Sequence, residues 1–525
     1  MSVRILSAAQ MRWADAAAMA AGMTGFDLMD RAGKAVTDAV LEHMPDFGRV
    51  VIVTGSGNNG GDGFAAARYL RQRGVPVTLV MLTPLDQLPE NVRLHAQLAR
   101  DVGAKLREAV CDVSFTELNR WLARAVIVVD AILGSGVNRV LAGRVAEAVA
   151  QINLSGRPVL SIDIASGLNA DTGQVMGDAI HAGYTLPVAA CKWGYWMGHG
   201  PEYSGTLLPV ACIGIEDALL CRAWSAVADP SACEHTVPLN SANFIDVEAM
   251  ERGWPRRSRL SHKGSFGHVW VFGGSPGFTG APKLAALGAL ASGAGLVSMV
   301  CPDEVWPVVA AGSLEAMVHS HSSRCWQSDD AEEVVAQADA VVAGPGWGIG
   351  QQSLLTRLLA TSRPLLLDAD ALNMIAADAR LQASVRERSG VTVLTPHPGE
   401  AARMLGCSVD EVQADRKRSV LKLARCYASW VVLKGHETLI SSPAGDLTLN
   451  PFGSPQLAVA GSGDVLAGML GRQLAFWRRQ GGDIGSMIAA AVALHGSAGE
   501  RSGWYLASEL AGVVASMRQS IEKRH

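Results

Sequence analysis

Short apolar runs without polar alternation recur along the first part of the chain: Val50–Thr54, Val77–Leu82, Ala125–Val129 and Pro158–Ile162. Rich in β-branched residues, they fit strands of a parallel sheet covered on both faces. Helix-period stretches, Gly63–Arg73 and Glu90–Val102, lie between them. The alternation resumes further on. Strands are predicted over His268–Phe272, Leu296–Cys301, Ala340–Ala343, Pro364–Leu367, Val391–Leu394 and Trp430–Leu433. Helices are predicted over Pro282–Ser292, Gly399–Leu405, Val412–Ala428, Asp464–Leu474 and Ile484–Gly496. Regular strand–helix alternation of this kind builds parallel three-layer sheets. The prediction is an α/β protein of two αβα domains, residues 1–220 and 260–525. Between them, over 221–259, periodicity fades and Pro230, Pro238 and Pro255 punctuate polar sequence, which marks a linker or an edge element. The charged tail 519–525 is expected to fray.

A length of 525 residues suits at least two domains. Apolar residues at 49% and charged residues at 18% allow a large core and exclude wholesale disorder. The net charge of −4 gives no footprint for nucleic acid and no polybasic signal for a membrane surface, so neither partner is expected. Leu284–Pro302 carries no charge and is long enough to raise the question of a membrane span. Its Gly, Ala and Ser content and its β-branched last third make it a buried helix running into a buried strand. Residues 1–25 lack a signal peptide's apolar core, because Arg12 and Asp15 interrupt it. The nine cysteines are scattered, with no C-x-x-C pair for a zinc ribbon or a disulfide scaffold. Free thiols in a reducing cytoplasm are expected.

Glycine stands at 56 of 525 positions, and it concentrates at strand ends. Gly55-Ser-Gly-Asn-Asn-Gly-Gly-Asp-Gly63 follows the first strand. It is neither a dinucleotide fingerprint nor a phosphate loop with a following Lys-Ser/Thr. Glycines let backbone approach a ligand, and free amides at a helix N-terminus attract anions. Asn58, Asn59 and Asp62 add oxygens suited to a hydroxyl or a hard cation. Two more polar loops end strands: Asp130-Ala-Ile-Leu-Gly-Ser-Gly136 and Asp163-Ile-Ala-Ser-Gly-Leu-Asn169. In open parallel sheets ligands bind at the carboxyl ends of strands, so the three loops should converge.

These loops resemble the NAD(P)H-hydrate epimerase family, whose pattern runs G-x-G-N-N-G-G-D-G, V-D-A-I-F-G and I-D-I-P-S-G-L, over roughly residues 7–215. Ala165 stands for the family's Pro, Leu133 for its Phe, and Tyr184-Thr-Leu-Pro-Val-Ala-Ala replaces a threonine-rich strand. None of these removes a polar group. The resemblance implies a Rossmann-like domain. It implies binding of the hydrated cofactor by Asn58, Asn59, Gly60, Gly61, Asp62, Gly134, Ser135, Gly136, Val137, Asn138, Arg139, Val140 and Asp163. It also implies a potassium ion on Asn59, Asp130 and Ser166, all oxygen donors. Asp163 is the candidate acid–base group, and Lys192 is a further candidate.

In the second block, Gly461-Ser-Gly-Asp464 opens a helix whose free amides can hold an anion. Asp464 would then orient a substrate hydroxyl and accept its proton beside a transferring phosphoryl group. A helix N-terminus is expected to lower its pKa. Other strands end in Gly273-Gly-Ser-Pro-Gly-Phe-Thr-Gly-Ala281, Gly344-Pro-Gly-Trp-Gly348, Asp368-Ala-Asp370, Thr395-Pro-His-Pro-Gly-Glu400 and Lys434-Gly-His-Glu-Thr438. The set resembles the ribokinase-like fold and, within it, the ADP- or ATP-dependent NAD(P)H-hydrate dehydratases, over roughly residues 263–510. Trp347 stands for the usual Leu and His436 for the usual Ala. By position, Lys434, Gly435, His436, Glu437, Thr438 and Gly463 would hold the adenine nucleotide. Ala281, Gly346, His397 and Asp464 would contact the hydrated nicotinamide cofactor. Glu400 would be a carboxylate that either supports these contacts from behind or is linked to Mg2+.

Together the resemblances imply a fused bifunctional enzyme that repairs hydrated nicotinamide cofactors. One domain interconverts the R and S forms of NADHX and NADPHX. The other phosphorylates the S hydrate from ADP, and loss of phosphate restores the double bond. The motifs serve ADP and ATP alike; ADP follows from the likeness to the bacterial fused enzymes. A homo-oligomer is expected. The alternative is a small-molecule kinase joined to a non-catalytic binding module. The T-P-H-P-G-E and K-G-x-x-T loops disfavour the kinase, and the retained Asn59, Asp130 and Asp163 disfavour the inert module.

Overall fold

The computed structural model describes residues 5–110, 116–226, 242–254, 257–258, 260–322, 335–501 and 506–524. The chain divides into two compact units, Val3–Pro230 and Ser231–His525.

In the first unit a short strand β1 (Ile5–Leu6) leads into helices α1 (Ala8–Ala20) and α2 (Gly25–His43). Then follow β2 (Val50–Thr54), α3 (Asn58–Gln72), β3 (Val77–Met81), α4 (Glu90–Asp101), β4 (Lys105–Glu108), β5 (Ile127–Ala131), β6 (Val159–Ile162), β7 (Tyr184–Leu186), β8 (Cys191–Lys192) and β9 (Thr206–Leu207). The main sheet is all parallel, in the order β4-β3-β2-β5-β6-β7-β9. Every residue of β2 is buried, so both faces of the sheet are covered, as the unbroken apolar run requires. The chain winds outward from β2 to β4, then restarts at β5 on the other side of β2. The crevice between β2 and β5 is therefore the topological switch point, where such sheets bind ligands. A separate pair joins β1 to β8, with Leu6 opposite Lys192.

Helix α3 begins at Asn58, not at Gly63, so most of the predicted glycine loop is its first turns. Intrinsic propensity argues against glycine in a helix, and packing overrides it. A Cβ on Gly61 would lie 2.6 Å from Met29 Sδ of α2. The glycines thus let α3 lie close against its neighbours.

The second unit carries β10 (Ala242–Phe244), β11 (His268–Phe272), β12 (Leu296–Cys301), β13 (Met317–Ser320), β14 (Ala340–Ala343), β15 (Leu365–Leu367), β16 (Thr392–Leu394), β17 (Trp430–Leu433), β18 (Leu439–Ser441) and β19 (Leu447–Leu449). Their order is β10-β19-β18-β17-β16-β15-β14-β11-β12-β13. Only the β17-β18 and β18-β19 pairs are antiparallel. Its switch point lies between β11 and β14. One core cluster joins these strands to helices Gly280–Ala291, Ser462–Gln480 and Ile484–Gly499. The uncharged Leu284–Pro302 stretch is, as expected, the end of a helix followed by β12. No helix among the described residues is long and apolar enough to cross a membrane.

Of the two readings of the 221–259 segment, its described residues hold the edge element: helix Asp217–Ala226 runs into it, β10 is an edge strand, and helix Val247–Arg252 follows. Pro230, Pro238 and Pro255 lie outside the described residues. Other expectations need correction. The helix predicted over Val412–Ala428 is two helices, Val409–Ala414 and Arg416–Tyr427, parted at Asp415, which caps the second. The tail does not fray: helix Ala507–Arg524 carries Ile521 into the core.

Candidate active sites

In the first unit a cavity of about 880 Å³ opens at the switch point. The loops after β2 and β5 meet there so closely that a Cβ on Gly55 would lie 2.1 Å from the Ile132 carbonyl oxygen. Asn58, Asn59 and Asp62 line the cavity, as do Gly134 to Val140 and Asp163. Gly60 and Gly61 do not; they are buried in α3. The N-cap of α3, Gly57, offers no side-chain cap, so the first amides of that helix are left for a ligand.

Asp130 is fully buried at the end of β5. Its carboxylate accepts from Ser161 Oγ at 2.8 Å, Ser166 N at 2.9 Å, Ser166 Oγ at 2.6 Å and Ile132 N at 3.2 Å. Burial pushes its pKa up, and these four donors oppose the rise. Asn59 Nδ2 donates to the Leu133 carbonyl at 2.9 Å, while its buried Oδ1 has no partner. The three residues assigned to a cation are thus drawn together around the Leu133 turn, with one oxygen unsatisfied.

Asp163 follows β6 with φ 65°, a left-handed conformation rare outside glycine and best tolerated by Asn and Asp. Its carboxylate is ion-paired with Lys192 Nζ. That ammonium, 1% exposed, also donates to the carbonyls of Val188 at 2.8 Å and Ala190 at 2.9 Å. Tyr195 OH donates to the Asp163 carbonyl, which fixes the turn.

In the second unit the loops after β11 and β14 touch: Gly274 N donates to the Pro345 carbonyl at 3.0 Å. Ala281 and Gly346 sit together there, since a Cβ on Gly346 would be 2.9 Å from Ala281 Cβ. The next loops bring a lysine among carboxylates. Lys434 Nζ bonds Asp368 Oδ1 at 2.7 Å, and Thr395 Oγ1 donates to the same oxygen at 2.8 Å. Ala369 takes φ 46° and ψ −115°, a conformation L residues rarely adopt. It lets Asp368 reach Lys434 while Asp370 accepts from Gly348 N at 2.8 Å. Burial works to lower the Lys434 pKa, and Asp368, Glu400 and Asp464 outweigh it and raise the pKa.

Asp464 lies in the first turn of helix Ser462–Gln480, whose N-cap, Gly461, offers no side-chain cap. The expected lowering of its pKa is overturned. Burial, together with Asp368, Asp370 and Glu400, lifts it to about 7 against the pull of Lys434. Gly463 lies beside the lysine, 3.5 Å from Lys434 Nζ to a built Cβ. His397 caps helix Pro398–Leu405, accepting from Gly399 N through Nδ1, and its backbone N–H donates to Glu400 Oε2 at 2.8 Å. Glu437, also left-handed at φ 53°, is pushed up to about 8 by burial, eased by Arg416. Arg416 bonds the carbonyls of Leu433, Lys434 and Glu437 and so shapes the 434–438 loop.

Two family profiles match the chain: NAD(P)H-hydrate dehydratase over residues 269–511 and YjeF-related protein N-terminus over residues 25–194. The bifunctional NAD(P)H-hydrate repair enzyme Nnr of Coxiella burnetii is 34% identical over 507 residues, covering 94% of this chain and 93% of that protein. The enzyme of the same name from Moorella thermoacetica is 35% identical, covering 90% of this chain and 88% of that protein. The chain belongs to the family of bifunctional NAD(P)H-hydrate repair enzymes. An ADP/ATP-dependent NAD(P)H-hydrate dehydratase from Bacillus subtilis, co-crystallized with ATP/Mg2+, is 30% identical over 52% of this chain and 97% of its own, with a TM-score of 0.44.

Within this repair enzyme, several site features escaped sequence reasoning. Asp15 lines the first cavity from α1, and burial lifts its pKa to about 6, with Lys192 lowering and Asp163 raising it. The only sequence signal was a lone acidic residue on an alanine-rich helix. His495 is a second case. Buried and lowered to about 4, it donates from Nε2 to the Ser462 carbonyl at 3.0 Å and so steadies the turn that carries Asp464.

Proposed function

We propose that the first domain epimerises the hydrated nicotinamide at the carbon that bears its hydroxyl, with Asp163 as acid–base group and Lys192 as its positioning partner. Water adds to the enamine double bond at the carbon beside the ring nitrogen, so the nitrogen lone pair can expel the hydroxyl as water. Re-addition from the other face inverts the centre. The α3 N-terminus, with Asn58, Asn59 and Asp62, would take the cofactor's phosphate and hydroxyl groups. The loop from Gly134 to Val140 would close over it.

The second domain dehydrates the S hydrate. Asp464 accepts the proton of the ring hydroxyl as that oxygen attacks the phosphoryl group of ADP. The loop from Lys434 to Thr438, with Gly463, holds the nucleotide; the Lys434 ammonium offsets charge as phosphate is transferred. Ala281, Gly346 and His397 contact the nicotinamide. Phosphate then leaves, ring hydrogen is lost as a proton, and NADH or NADPH is restored with AMP. Mg2+ would come with the nucleotide phosphates and neutralise their charge, with Glu400 as a carboxylate linked to it. The observation that carries this reading is the cluster of Asp464, Lys434 and Asp368 at an uncapped helix N-terminus. Its test is S-hydrate consumption by the purified enzyme with ADP and with ATP, followed by the absorbance of reduced nicotinamide and the mass of the nucleotide product. A phosphorylated hydrate as the end product would make the domain a kinase.

The residues also fit a potassium ion in the first domain: Asn59 Oδ1 is buried and unpartnered, and Asp130 supplies a buried negative charge. Asn59, Asp130 and Ser166 would hold the ion, which supplies charge and loop order with no redox role. Replacing potassium by a bulky organic cation is expected to weaken hydrate binding in the epimerase assay and leave the dehydratase unchanged. Asp130→Asn is expected to lower apparent potassium affinity on the order of 10–100-fold. Equal hydrate binding in both salts would remove the ion from the scheme.

A further inference from the structure

The cavity of the first domain holds more acid–base capacity than Asp163 accounts for. Asp15, Asp62 and Asp163 all line it, together with Lys192. Asp163 is engaged by the Lys192 ammonium. The other two carboxyls are not engaged: no hydrogen-bond donor among the described residues reaches either. Asp62 is only 9% exposed, an unpartnered carboxyl facing the space a ligand must fill. The placement of Asp15 is built in. Ser7 and Gln10 form a capping box at the start of α1, and Asp171 accepts from Ala8 N at 2.8 Å. The strand before it pairs with β8, Leu6 against Lys192, so one small sheet sets both Asp15's helix and the lysine.

We propose that Asp15 is the second catalytic residue of the epimerisation, giving a proton to the departing hydroxyl while Asp163 takes one from the incoming water. It rests on Asp163 as the acid–base group. The chemistry asks for two groups in complementary states. Breaking the carbon–oxygen bond releases hydroxide, which leaves as water once Asp15 protonates it, and the ring nitrogen lone pair forms an iminium. A water then bonds to the same carbon from the other face and gives its proton to Asp163. One carbon–oxygen bond is broken and one made, and nothing is oxidised. The proton returns from Asp163 to Asp15 through water in the cavity. Environments that separate two carboxyls in this way divide acid from base. Asp163 sits against an ammonium, whereas burial and the Asp163 charge favour the neutral form of Asp15.

The titratable and charged groups that line the cavity with Asp15 are Arg12 on its own helix, Asp62 on α3, Arg139 after β5, Asp163 after β6 and Lys192 on β8. From the helix Asp217–Ala226 packed on α1, Arg222 lies over the ring of Trp13. Because the acid must be protonated, exchange in the wild-type enzyme should fall as pH rises through about 6. The test compares Asp15→Asn and Asp15→Glu in the full chain, measuring R/S exchange from each pure epimer against pH. Dehydration of the S hydrate by the same preparation reports folding. Asp15→Asn is expected to slow exchange on the order of 10²–10³-fold with little change in KM, to lose the alkaline limb, and to keep full dehydration. Asp15→Glu should restore part of the rate and the limb. Wild-type exchange and profile in Asp15→Asn would overturn the proposal, as would a loss confined to KM. If Asp163→Asn also exchanges normally, the reading of the whole site fails rather than the role of Asp15 alone.

Discussion

Asp464→Asn is expected to abolish repair of the S hydrate and leave R/S exchange untouched. The amide keeps the carboxylate's shape and cannot accept the hydroxyl proton, and loss of general-base help costs about 10²–10⁴-fold. The wild-type pH profile should carry the same signature. In the proposed mechanism Asp464 works as the carboxylate, and burial lifts its pKa to about 7, so dehydration should fall about tenfold per unit below that value. Stability has the opposite sign. Between the ordinary 3.8 and about 7 the folded state holds a proton that the unfolded chain has released, so this group's contribution declines as pH rises through that window. Single-turnover assays of the variant with ADP would read the first effect. Wild-type dehydration in Asp464→Asn would end the assignment.

Asp163→Asn is expected to bring exchange of the epimers down to its spontaneous rate while S-hydrate repair continues. Asparagine is the better substitution because it accepts the left-handed backbone at φ 65°, where alanine adds about 1–2 kcal/mol of strain. Either change leaves the buried Lys192 ammonium without its counter-charge, and breaking a buried pair costs about 3–5 kcal/mol. The assay therefore needs a melting curve beside it. A Lys192→Met, Asp163→Asn double variant separates the two effects: it should recover stability and remain inactive in exchange. Exchange at the wild-type rate in a folded Asp163→Asn enzyme would show that another group moves the proton.

Much of this was legible in the sequence because burial on both faces leaves a plain mark. Val50–Thr54, His268–Phe272 and Trp430–Leu433 are strands with the very bounds their apolar runs have. Loops at strand ends were legible too, because glycine and aspartate cluster there. Two kinds of feature were not. One is helix geometry decided by packing: α3 starts inside its glycines because they fit against α2. The other is pairing across long separations. Lys192 is 29 residues from Asp163, and nothing near it in the chain announces the ion pair. The antiparallel strands β18 and β19 were missed because they are only three residues each, too short for a run to stand out.

The backbone at Ala369 sets a limit on how this enzyme can be improved. Its conformation stores about 1–3 kcal/mol, which a glycine would release at once. A laboratory selection for heat tolerance alone would reward that replacement. The same replacement would free the hinge that holds Asp368 against Lys434 and Asp370 against the Gly348 amide. Survivors of such a selection would melt later and turn over more slowly, with the fault outside every residue assigned to the cofactor.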